Sequence, residues 1–137
     1  MDRPELRLIR SGGLTWGQVP AFVEDVRRLE AAHHGIRADL VAMIRRLEAS
    51  GIGGDERTSD LVSYPVATHP DVGELRLNVR RHLFRIYLTA PSRTPPDVVG
   101  LLFAHKDVSG PETGIRSAQN ADIALAAHRA VDAQLWT

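Results

Sequence analysis

The stretch from Gly73 to Lys106 leaves this chain few folds to choose from. It begins Gly-Glu-Leu-Arg-Leu-Asn-Val-Arg-Arg-His-Leu-Phe-Arg-Ile-Tyr-Leu, continues through a proline-rich loop, and ends Val-Val-Gly-Leu-Leu-Phe-Ala-His-Lys. The first part alternates apolar and polar residues, as a half-buried β-hairpin does. The last part is a continuous apolar run that stops at His-Lys, as a central strand does where its end meets solvent. The pattern predicts hairpin strands over Gly73 to Val79 and Leu83 to Thr89, and a buried strand over Val98 to His105. Between them, Pro91, Pro95 and Pro96 exclude regular strand.

Alternation sorts the hairpin side chains. Leu75, Leu77 and Val79 share one face of the first strand, and Glu74, Arg76 and Asn78 the other. On the second strand Phe84, Ile86 and Leu88 oppose Leu83, Arg85, Tyr87 and Thr89. Arg76, Arg85 and Tyr87 are therefore expected to point together from the face away from the helical core. A sheet face carrying guanidinium groups suits a phosphate-rich ligand, because each offers a fixed fork of donors that keeps its charge. Ordinary structural ion pairing, Arg76 with Glu74 for instance, is the competing reading.

Charge supports the same location. The chain is neutral overall, which by itself argues against nucleic acid. From Met1 to Val72 there are 9 basic and 11 acidic residues, 9 − 11 = −2, and from Gly73 to Thr137 there are 8 and 6, 8 − 6 = +2. The excess is concentrated between Gly73 and Lys106. Lys106 is also the single lysine of the chain.

Before the hairpin, the pattern predicts a short strand at Leu6 to Arg10, broken by Ser11-Gly12-Gly13. Val19, Phe22, Val23, Val26 and Leu29 then form one stripe of a helix expected over Trp16 to His34. Ile36, Leu40, Ile44 and Leu47 form the stripe of a second, over Ile36 to Ser50. Gly35 separates the two, giving a helical hairpin. Asp55 to Asp71 is polar and irregular, with Leu61 to Val66 extended. After a loop over Asp107 to Arg116, a last helix is expected from Ser117 to Trp136, packed through Ile123, Ala127, Ala130, Val131 and Leu135. The 137 residues read as one α+β domain, residues 1–137: an N-terminal strand and a helical hairpin on a small, mainly antiparallel sheet, closed by a C-terminal helix.

There is no cysteine, hence no disulfide framework and no thiolate metal site. No apolar run reaches the roughly 18 residues of a membrane span, and the charged N-terminus lacks a signal-peptide core. The expected location is cytoplasmic, without membrane contact. The six histidines show no paired metal-ligand spacing, so no metal and no cofactor is expected, and His33-His34 read as cations near a helix C-terminus. The glycine clusters lack the Gly-Lys-Ser/Thr ending of a phosphate loop.

Gly73-Glu74-Leu75-Arg76, Phe84-Arg85-Ile86-Tyr87, Leu101-Leu102-Phe103-Ala104-His105-Lys106 and Asp122-Ile123-Ala124-Leu125-Ala126 together resemble the RelE/ParE toxin superfamily. The similarity is to its HigB-like, phage-derived branch, with its W-E-L-R, Y-R-I-x-Y and L-L-H-x-F-x-K-K strands and E-I-x-x-A helix. Gly73 replaces the aromatic, His105-Lys106-Asp107 stands where the lysine pair would be, and a proline loop is inserted. The resemblance implies a type II toxin: a metal-independent endoribonuclease acting on mRNA at the ribosome and restrained by a cognate antitoxin, a small helix-turn-helix protein. Under it, Arg76 and Arg85 clamp the phosphate and Tyr87 stacks on a base or moves a proton. His105 serves as acid or base, and Lys106 supports the phosphate charge. Arg80, Arg81 and His82, at the hairpin turn, are candidate RNA contacts. Two other functions stay open: a non-catalytic toxin of the same fold directed at DNA gyrase, and a binding domain without either activity.

Overall fold

In a computed structural model of the chain, residues 13–50, 62–63, 66 and 68–137 are described. The strand expected at Leu6 to Arg10, and most of the segment before the hairpin, lie outside these residues. The fold is α+β: a five-stranded mixed sheet carrying helices on both faces. The strands are β1 (Trp16–Gln18), β2 (Val62–Ser63), β3 (Gly73–Val79), β4 (His82–Thr89) and β5 (Val98–Lys106). The helices are α1 (Pro20–Ala32), α2 (Ile36–Ser50) and α3 (Glu112–Asp132). The order across the sheet is β1-β5-β4-β3-β2, with β1 parallel to β5 and every other pairing antiparallel. Among the described residues, no helix is long and apolar enough to cross a membrane.

Both ends of the first and last helices differ from the sequence expectation: the first ends at Ala32 rather than His34, and the last at Asp132 rather than Trp136. Trp16–Gln18 is strand, not the first turn of α1. Asp97 holds it there: its carboxylate accepts from the backbone N–H and the hydroxyl of Thr15, at 3.0 and 3.1 Å. Helix α1 begins only at Pro20, where a fixed φ and a missing N–H suit a first helical position. At the other end of the chain, α3 starts at Glu112 rather than Ser117, directly after Pro111.

The register fixes the two faces of the sheet. Leu75 lies opposite Ile86, and Leu77 opposite Phe84. With Phe103 these side chains meet Phe22 of α1 and Leu40 and Leu47 of α2 in one core. The other face carries Glu74, Arg76, Arg85, Tyr87, Leu102, Ala104 and Lys106 and is crossed by α3 through Ile123, Ala126 and Ala130. Val131, expected in that packing stripe, is 61% exposed.

Strand β5 is longer than its neighbour β1, which covers only Val98 to Gly100. Side chains finish the edge beyond it. Asp25 of α1 accepts the N–H of Phe103 at 3.1 Å, and Arg129 of α3 donates to the carbonyl of Leu101 at 2.9 Å. The two are bonded to each other at 2.6 Å. One acceptor and one donor thus take the place of a further strand and join the two helical layers around the sheet edge.

The β3–β4 hairpin turns on Arg80 and Arg81, both left-handed, with φ of 48° and 68°. Such a pair matches the right-handed twist of the strands, at a cost of roughly 1–2 kcal/mol for each residue with a Cβ. The Arg80 guanidinium repays part of it by donating to the carbonyl of His34 and the carboxylate of Asp39, which ties the β-hairpin to the tip of the helical hairpin.

Candidate functional site

The C-terminal helix changes the meaning of the arginine face. Arg76, Arg85 and Tyr87 do share the face away from the helical hairpin, as alternation requires, and Arg76 is exposed. Arg85 and Tyr87 are buried beneath α3. Arg85 is 7% exposed and forms an ion pair with Glu74, itself 4% exposed, whose carboxylate also accepts from Gln119 of α3 at 3.3 Å. The expectation of an exposed, uncommitted Arg85 is thereby corrected: alternation assigns the face, and α3 covers it.

A cavity of about 200 Å³ remains between this face and α3, lined by Arg85, Tyr87, Ala104 and Lys106 from the sheet and by Gln119 and Asp122 from the helix. Arg85 lies directly opposite Arg76 across the hairpin, a like-charged pairing that is unfavourable unless neutralised. Glu74 supplies the neutralising charge. No hydrogen bond or ion pair to a described residue holds the Lys106 ammonium, the Tyr87 hydroxyl or the Asp122 carboxylate.

The cavity perturbs all three. Burial, followed by Arg85 and Arg76 and against the pull of Glu74, draws the Lys106 ammonium below its ordinary value. Burial pushes the Tyr87 phenol well above its ordinary value, reinforced by Glu74 and Asp122 and opposed by Arg85. Burial raises the Asp122 carboxyl, and the negative charge of Asp25 adds to it. Perturbed groups converging on one cleft mark it as the candidate site.

His105 borders the cavity, but its ring is not brought to these groups. Lys106 pairs with Leu83, and His105 with Phe84, so their side chains leave opposite faces of β5. The His105 ring lies on the helical-hairpin side against His33, His82 and Phe84, with its Nε2 3.3 Å from His82 Nδ1. His82 therefore belongs to a histidine cluster, and Arg80 is held by Asp39, while Arg81 is exposed on the turn. Among the described residues, no group of three or more His, Asp or Glu side chains is arranged to hold a metal ion.

The cluster has a measurable consequence. Burial, then His33 and His82, hold the His105 imidazole below its ordinary value of 6.5, against the weaker pull of Asp107. The unfolded chain thus takes up this proton first as pH falls. The stability due to neutral His105 is complete above about pH 6.5 and is lost as pH drops through the depressed folded-state value. Thermal melting from about pH 8 to about pH 5 should show this loss, and His105→Leu should flatten it. Parallel loss in parent and variant would assign the dependence elsewhere.

Sequence reasoning missed Asp122, Gln119 and the edge pair Asp25–Arg129. A signal was available: each interrupts a buried helical stripe with a polar group, Asp25 between Phe22 and Leu29, and Asp122 and Arg129 beside Ile123, Ala126 and Ala130. A charge on a buried stripe needs a partner or a purpose. Compared with family models, curated proteins and solved structures, the chain finds no match in any of the three.

Proposed function

We propose that the cavity between the sheet and α3 binds and cleaves RNA phosphodiesters without a metal ion, and that the protein is a ribosome-directed toxin neutralised by an antitoxin. The observation that carries this reading is the cavity's unpartnered Lys106 and Tyr87, beside Arg85 and close to Arg76. The ordered resemblance of the same strands to the RelE/ParE superfamily agrees with it. Lys106 and Arg76 attract the phosphate, and Lys106 keeps the cavity cationic where Arg85 is neutralised by Glu74. The Tyr87 phenol keeps its proton and donates to a phosphate oxygen, where fixed donors favour the charge of the transition state.

The test is induction followed by RNA mapping. Messages should be cut at defined sites, and the purified protein should cut RNA in the presence of a chelator. Lys106→Met should lose about 100-fold or more in cleavage rate while melting like the parent, because its ammonium has no partner among the described residues to strand. Intact messages with DNA breaks would instead point to gyrase.

A second reading rests on the Glu74–Arg85 pair and the burial of Tyr87. Both residues already serve the fold, as in a domain that holds a phosphate without cutting it. RNA binding without cleavage, with normal growth on induction, favours that reading.

A further inference from the structure

We infer that Asp122 takes the proton from the attacking 2′-hydroxyl, an assignment that rests on the RNA-cleaving function proposed above. Asp122 lies one turn from Gln119 and one turn from the fully buried Ala126, on the stripe of α3 that faces the sheet. Its carboxylate opens on the same cavity as Tyr87 and Lys106 and bonds to neither.

Every other group near the cavity is committed or of the wrong kind. Glu74 is held by Arg85 and Gln119. The exposed Asp107 also lines the cavity, but one of its oxygens accepts from the hydroxyl and the backbone N–H of Ser109, at 2.6 and 2.9 Å, and these bonds draw its carboxyl below its ordinary value, which makes it the poorer base. The His105 ring lies on the opposite face of β5. Lys106 is a cation and the Tyr87 phenol keeps its proton. Among the described residues lining the cavity, Asp122 is the acceptor without a partner. Its raised affinity for a proton brings it nearer the range in which a general base works well.

The step balances without a co-reactant. The 2′-hydroxyl gives its proton to the Asp122 carboxylate as O2′ bonds to phosphorus. The P–O5′ bond breaks, and the leaving O5′ takes a proton from the Lys106 ammonium. The products are a 2′,3′-cyclic phosphate and a 5′-hydroxyl, and solvent returns the proton from Asp122 to Lys106.

The experiment compares parent, Asp122→Asn and Asp122→Glu on a short RNA, with a 2′-deoxy analogue at the cut position as the binding probe. Asp122→Asn should bind the analogue within about threefold of the parent and cleave at least 100-fold or so more slowly. The parent rate should fall as pH drops through the Asp122 titration, and that acid limb should be missing from the residual rate of Asp122→Asn. Asp122→Glu should restore part of the rate. Asp122→Asn cleaving within about tenfold of the parent, with the acid limb kept, overturns the assignment and leaves the wider function standing. So does a variant that loses binding and melting temperature together, which makes Asp122 structural. A parent protein that binds the analogue but never cuts RNA overturns both.

Discussion

Arg85→Ala is expected to lose about 3–5 kcal/mol of stability, a large fraction of what holds a domain of this size together. The sequence alone suggests a mild change, because an exposed sheet arginine adds little to a fold. The structure reverses the sign of that argument. Arg85 and Glu74 are both buried, and truncating the guanidinium leaves the Glu74 carboxylate beneath α3 with only the Gln119 amide. Replacing both partners, as Glu74→Gln with Arg85→Met, should recover much of the loss, since no buried charge is then stranded. Urea unfolding midpoints of the three variants decide it; an Arg85→Ala protein as stable as the parent would show that the pair does not matter to the fold. Under the proposed function, a loss of toxicity in Arg85→Ala would therefore carry no information about catalysis, which is why Lys106 and Asp122 are the residues to test.

Asp25→Ala should cost a similar amount, about 3–5 kcal/mol. Asp25 is 1% exposed and accepts from three partners: the N–H of Phe103, the guanidinium of Arg129 and, at the surface, the guanidinium of Arg28. Its removal strands a backbone donor and a cation at once. The damage should be local in character, so amide exchange at Phe103 should speed up more than exchange at Leu77 in the middle of β3. Exchange that rises equally at both positions would mean that the edge pair acts only through global stability. Asp25→Asn, which keeps one acceptor, should fall between parent and alanine.

Much of this architecture was legible in the chain. Helix α2 spans the expected Ile36 to Ser50, because its apolar residues recur at helical spacing with a glycine before them. The β3–β4 hairpin falls within a residue of its expected limits, since alternation and turn position are local signals. Trp16–Gln18 was not legible as strand, because its partners are Val98 to Gly100, far along the chain, and three residues carry no period of their own. The faces of the sheet were legible and their covering was not. Alternation places Arg76, Arg85 and Tyr87 together, but the burial of two of them depends on where α3 lies. His105 is the opposite case: simple parity separates it from Lys106, and grouping the two by adjacency ignored the pleat.

The edge clasp also bears on how the molecule is made. Asp25 and Arg129 are separated by 104 positions. At roughly 5–20 residues per second, Asp25 is synthesised about 5–20 s before its guanidinium partner. During that interval the outer edge of β5, once present, offers its N–H and C=O groups to any strand it meets. Contacts of such long sequence separation also slow folding, because loop closure precedes their reward. The sheet edge is thus closed only once α3 is made, and a chain interrupted before α3 is the form most exposed to aggregation.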